Sequence, residues 1–246
     1  MALTVVGLAV GGGLWLLPLA AAILAILAQA RVRQAYRRYS RVATRSRLTG
    51  AEVARLILDS RGLSEVEVSR QGGLLTDHYD PNSRTLRLSE QVHSGVSIAS
   101  VGIAAHEAGH ALQHADAYRW LNLRSSLVPV VGIGSRLAGP LFGVGVMLMM
   151  FSKGPLAIWL LMLAAYGLAG VVVFSLVTLP VEIDASARAL RLLRSSGILD
   201  GEEVDGAAAM LRAAAYTYVA AAAVAILQLV HVLRWLAHAR GGRSRS

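Results

Sequence analysis

Between Ala2 and Ala30 no position carries a charge. As a helix that run measures roughly 45 Å against a hydrocarbon core of about 30 Å, enough to span with tilt. Three further apolar stretches follow, Leu127 to Phe151, Leu156 to Leu179 and Ala213 to Leu236. Ser152, Lys153 and Gly154 read as the hairpin between the second and third, with Pro155 opening the third and Pro180 closing it. Between the first two stretches the pattern changes. Thr49, Gly50 and Ala51 lead into EVARLILDSRGL, a short amphipathic helix stopped at Gly62. EVEVS (65–69), GLLTDHYD (73–80) and TLRLS (85–89) alternate as strands, with Pro81, Asn82 and Ser83 as a turn, and predict a small sheet in which TLRLS is a candidate edge strand for an extended peptide. From Ser94 to Ala117 the period returns to that of a helix rich in Ala and Ile.

The predicted fold is a mainly α membrane protein: about four apolar helices, the fourth not certain to cross, and a cytoplasmic part with a small β-sheet. Its segments are an anchor at 1–30, a cytoplasmic segment at 31–126, a transmembrane hairpin at 127–179, a second cytoplasmic segment at 180–212, and an apolar helix with a basic tail at 213–246. Composition agrees, since 55% of the 246 residues are hydrophobic, only 16% are charged, and mean hydropathy is +0.53. Ala28, Gln29 and Ala30 imitate a signal cleavage site, but no basic residue precedes the apolar run and the run is too long for a signal core, so it reads as an anchor.

Net charge is +9, and Lys153 is the one lysine among 24 basic residues. The arginines of RVRQAYRRYSRVATRSR (31–47) follow the first apolar run directly, which favours anionic lipid headgroups over nucleic acid as their partner and puts this side in the cytoplasm. The two spans that follow return the chain to the side it left, which places 31–126 and 180–212 on the same face. A spanning fourth helix would leave Arg240, Arg243 and Arg245 outside, against the same rule. Arg136, among Gly132, Gly134, Gly139 and Pro140, marks either a broken helix lying partly in the interface, the favoured reading, or a charge that faces a protein cavity. Met147, Met149 and Met150 read as packing or lipid-facing residues, and the run AAAYTYVAAAAVA as a surface for close helix packing through small side chains.

The chain has no cysteine, so a metal site must use His, Asp or Glu and no thiol nucleophile exists. His106, Glu107 and His110 form H-E-x-x-H on the Ala-rich helix, an arrangement that chance would supply roughly 0.006 times in a chain of this composition. Histidines at i and i+4 project from one face about 6 Å apart, so both can reach one zinc at roughly 2.1 Å, while Glu107 is placed as general base for a zinc-activated water. A third ligand is needed. His114 lies eight residues from His106, about 12 Å along the helix, whereas ligands of one zinc lie within roughly 3.5 Å. Asp116 is farther still. Glu182, in LPVEIDASARAL just after Pro180, fits best, and Asp184 is the weaker choice because it points away if Glu182 faces inward. His78 and Tyr79, in TDHYDP, are candidates to stabilise an oxyanion or contact substrate, as is His231 in its apolar helix.

LLTDHYDP, TLRLSEQV, AAHEAGHALQHA, LRSSLVPVV, LPVEIDASARAL, GILDGEEV and AAAYTYVAAA, in that order, resemble the YugP-like membrane neutral zinc metallopeptidases. The resemblance runs from about residue 30 to the fourth apolar segment. It implies a multi-pass protein of the bacterial cytoplasmic (inner) membrane, one zinc per chain, and a gluzincin-type site with His106, His110 and Glu182 as ligands and Glu107 as base. The wider gluzincin pattern often has an Asp four residues after the ligand Glu, where this chain has Ser186, so the group that orients a zinc-bound histidine is open. The expected activity is hydrolysis of peptide or protein substrates, membrane proteins among them. The rival reading is a non-catalytic metal-binding scaffold or transporter, disfavoured by the scarcity of charge within the spans and the lack of paired broken repeats.

Overall fold

A computed structural model of the chain describes residues 2–151 and 154–241. Ser152 and Lys153 of the expected hairpin, and Arg243 and Arg245 of the tail, lie outside the described residues. The elements run α1 (Ala2–Tyr39), α2 (Gly50–Asp59), β1 (Glu67–Gln71), β2 (His78–Asp80), β3 (Thr85–Ser89), α3 (Glu90–His93), α4 (Ile98–Ala115), α5 (Arg119–Phe151), α6 (Pro155–Ser195) and α7 (Gly201–Gly241). The protein is mainly helical with one three-stranded sheet. Helices α1, α5, α6 and α7 are each long and apolar enough to cross a membrane. They display large apolar side chains outward, among them Ile26, Val130, Phe151 and Trp159, as lipid-facing surfaces do.

The chain forms two compact units. The first comprises Met1–Leu27, Arg124–Val177 and Tyr218–Ser246. Its packing depends on small residues: a Cβ at Gly167 of α6 would stand 2.7 Å from the carbonyl oxygen of Gly134 in α5, so the two backbones touch where neither carries a side chain. Leu161, Ala164 and Ala165 pack with Val232 and Leu236 of α7.

The second unit comprises Ala28–Leu123 and Thr178–Thr217. Helix α2 opens on a capping box: Thr49 accepts from the Glu52 N–H, and the Glu52 carboxylate accepts from the Thr49 N–H at 2.8 Å. Its Val53, Ile57 and Leu58 join Leu86 and Leu88 of β3 and the apolar face of α4 in one core. Each fully buried leucine contributes about 1.5–3 kcal/mol, so these few positions fix how α2 and the sheet lie on α4. Helix α4 is buried on nearly all sides, which explains its alanines and glycines: a larger residue at most positions would hold its neighbours off.

Four expectations are corrected. Pro180 does not close the third apolar helix; α6 continues through it to Ser195. Proline removes one hydrogen bond, here to the Leu176 carbonyl, and a long helix with its other bonds intact tolerates that loss. Helix α5 is likewise unbroken through Pro129 and Pro140, and Arg136 is an exposed residue on a continuous helix. TLRLS is not an edge strand: β3 pairs in parallel with β1 and antiparallel with β2, so it is central and β2 is one edge. The segment 73–77 lies outside β2, with Gly73 and Leu75 at positive φ that a strand does not admit.

Candidate metal centre

His106 and His110 sit one turn apart on α4, their ring centroids 4.7 Å apart and nearly edge to face. Glu182 reaches them from α6, its Oε2 lying 3.2 Å from Nε2 of His106 and 3.7 Å from Nε2 of His110. Ligand atoms of all three lie within 4.8 Å of one another. The approach of α6 depends on Gly109, the residue between the histidines on this face. A Cβ there would meet the Ala185 carbonyl oxygen at 2.7 Å, and that atom is backbone that cannot swing aside. Glu182 is 4% exposed and His110 8%, so the cluster is largely dry.

Each histidine has its other nitrogen engaged. Ser186 Oγ lies 3.1 Å from His106 Nδ1. Gln113 Oε1 lies 3.0 Å from His110 Nδ1, and the Gln113 amide N–H groups donate to the Val181 carbonyl and the Asp184 carboxylate, both at 2.8 Å. With its amide nitrogen spent as donor, Gln113 presents only an acceptor to His110, so the proton of that ring belongs on Nδ1 and its Nε2 offers a lone pair inward. Asp184 is held in turn by Arg188 Nε at 2.7 Å, and Arg188 also pairs with Asp116. Burial pushes the His110 imidazole down, but the Glu182 carboxylate, with Glu107 and Gln113, pushes it up further, so its net shift is upward.

Two imidazole nitrogens and one carboxylate oxygen, oriented by hydrogen bonds behind them, match the donor set of a catalytic zinc with a position left for water. The residues present therefore fit the ion.

Glu107 follows His106 on α4 and is 9% exposed. Its Oε2 accepts the Tyr79 backbone N–H at 3.2 Å, which means that the edge strand β2 aims a backbone donor at this carboxylate. The Tyr79 hydroxyl meets His114 Nδ1 at 2.9 Å, and burial pushes that phenol up. His114 is thus taken up by Tyr79. His78 Nδ1 contacts the Thr76 carbonyl at 2.9 Å. His231 belongs to the first unit, where its ring lies 5.3 Å from that of Phe142, and the structure does not bring it into the cluster. Glu182 lies inside α6, two residues past Pro180, and does not begin a helix as its sequence position implies.

Gln113 and Arg188 were not singled out in the sequence, although Gln113 stands three residues after His110 and Arg188 four after Asp184, spacings that share a helix face. Ser186, where the wider pattern often has Asp, occupies the place behind His106.

A family model described as "Putative neutral zinc metallopeptidase" matches residues 14–237. The chain is also 44% identical over 214 residues to the "Putative membrane protease YugP" of Bacillus subtilis (strain 168), covering 87% of this chain and 92% of that relative. No solved structure matches.

Proposed function

Because the chain belongs to the neutral zinc metallopeptidase family, we propose that it is a membrane zinc endopeptidase that hydrolyses peptide bonds of proteins, membrane proteins among them, with Glu107 as general base. The observation that carries this reading is the convergence of His106, His110 and Glu182 beside Glu107. His106, His110 and Glu182 would hold a zinc ion, which would supply Lewis-acid chemistry to a water and to the scissile carbonyl. Glu107 takes the proton of the attacking water and returns it to the departing amine, so one carboxylate serves both halves of the reaction. The Tyr79 N–H fixes the orientation of Glu107 without neutralising it. An extended substrate fits beside β2, the edge strand whose Tyr79 N–H meets Glu107. His106 is held in register by Ser186 and His110 by Gln113, so neither imidazole must reorganise during turnover.

The protein sits in the cytoplasmic membrane of a bacterium with several spans. Arg31 to Arg47 and the metal centre lie on the cytoplasmic side, where the basic segment meets anionic headgroups. Turnover of membrane proteins is the role that suits such a site. The test is metal and hydrolysis measured together in detergent-purified protein, wild type against Glu107→Gln. The peptidase reading expects both proteins to hold zinc and only the wild type to cleave a casein-type substrate. A metal-binding scaffold or transporter expects zinc in both and cleavage in neither.

A further inference from the structure

The basic end of α1 and the start of the apolar run of α7 enclose a second feature. Arg31, Gln34, Arg38 and Tyr39 fall on one face of α1, at i, i+3, i+7 and i+8. Opposite them stand Arg212 and Tyr216 of α7, one turn apart. Together they line a cleft of about 480 Å³ to which no Asp or Glu contributes. Among the described residues no ion pair is found for Arg31, Arg38 or Arg212. Three guanidinium groups converging without a carboxylate repel one another, and the arrangement becomes favourable when an anion enters. Gly206 closes the packing beyond the cleft, where a Cβ would come within 2.9 Å of the Tyr39 ring.

Where the cleft lies along its helices identifies the anion. No charged residue precedes Arg31 in α1 back to Ala2, and none follows Arg212 in α7 until Arg234. Both helices therefore turn from apolar to charged at this cleft, the depth at which phosphate groups of a bilayer lie and at which tyrosine is enriched. Guanidinium forks match phosphate oxygens in pairs. We propose that this cleft is a binding site for the headgroup of an anionic phospholipid, held by Arg31, Arg38 and Arg212 between α1 and α7. The proposal rests on the membrane reading of the four apolar helices and not on the peptidase reading, so its failure leaves the metal chemistry untouched.

The test uses the full chain, purified in detergent and stripped of lipid. It is titrated with short-chain phosphatidylglycerol, short-chain phosphatidylcholine or inorganic phosphate, with binding read by native mass spectrometry. Phosphatidylglycerol should bind one to a chain, and the other two at least about tenfold more weakly. Arg38→Gln with Arg212→Gln should weaken phosphatidylglycerol about 30-fold, the equivalent of about 1 kcal/mol for each arginine. Arg61→Gln with Arg194→Gln removes the same charge elsewhere and should leave binding unchanged. Should the first pair fail to fold, Arg38→Lys with Arg212→Lys keeps the charge but not the fork and should still weaken binding several-fold. Equal binding of phosphatidylcholine or of inorganic phosphate would overturn the proposal. So would equal losses in the two glutamine pairs, or undiminished binding in the lysine pair.

Discussion

His106 and His110 each turn one ring nitrogen inward because the other is occupied, by Ser186 and by Gln113. This division of labour was only half visible in the sequence. H-E-x-x-H states its own geometry, since i and i+4 share a helix face whatever the fold. Glu182 was reachable by asking which carboxylate completes the donor set. Gln113 was not: an amide on an apolar helix announces nothing until Val181 and Asp184 are seen to accept its N–H hydrogen bonds. At this scale the account predicts different fates for two acidic or basic neighbours of the site. Glu182→Ala should lower zinc content as well as activity, whereas His114→Ala, which removes a partner of Tyr79, should leave zinc in place. Metal analysis of the purified variants checks this, and full zinc in Glu182→Ala or its loss in His114→Ala would mean that the ligand is wrongly chosen.

The elements follow the hydrophobic pattern closely where the pattern is local. Helix α2 with its capping box, the turn at Pro81 to Ser83 and β3 lie where alternation and turn residues put them. What the pattern could not show was pairing. That β1 runs parallel to β3, leaving β2 at the edge, is a crossover decided by packing on α4. Pro180 reads as a stop for a local reason, since a proline interrupts one hydrogen bond but does not by itself end a helix as long as α6. The contact of α4 with α6 supports a prediction of its own. In Gly109→Ala the new methyl meets the Ala185 backbone and should cost about 1–3 kcal/mol. In Gly102→Ala the nearest atom is the flexible end of Met210 at 3.2 Å, and the change should be close to neutral. Thermal denaturation compares the two; equal stability would show that α6 does not depend on Gly109 for its approach.

For the whole molecule, the four apolar helices were evident from length and composition, and their sidedness rests on arginine placement alone. The absence of native cysteine makes sidedness easy to measure. With an impermeant thiol reagent, Lys153→Cys in intact cells should label from outside, and Arg41→Cys should label only after the membrane is opened; the reverse would invert the assignment. The measurement that bears most directly on the account is zinc content and proteolysis of the intact chain in Glu107→Gln. An amide cannot accept the water proton, so the account predicts full zinc and hydrolysis reduced by about 100-fold or more. Near-normal hydrolysis in that variant would contradict it.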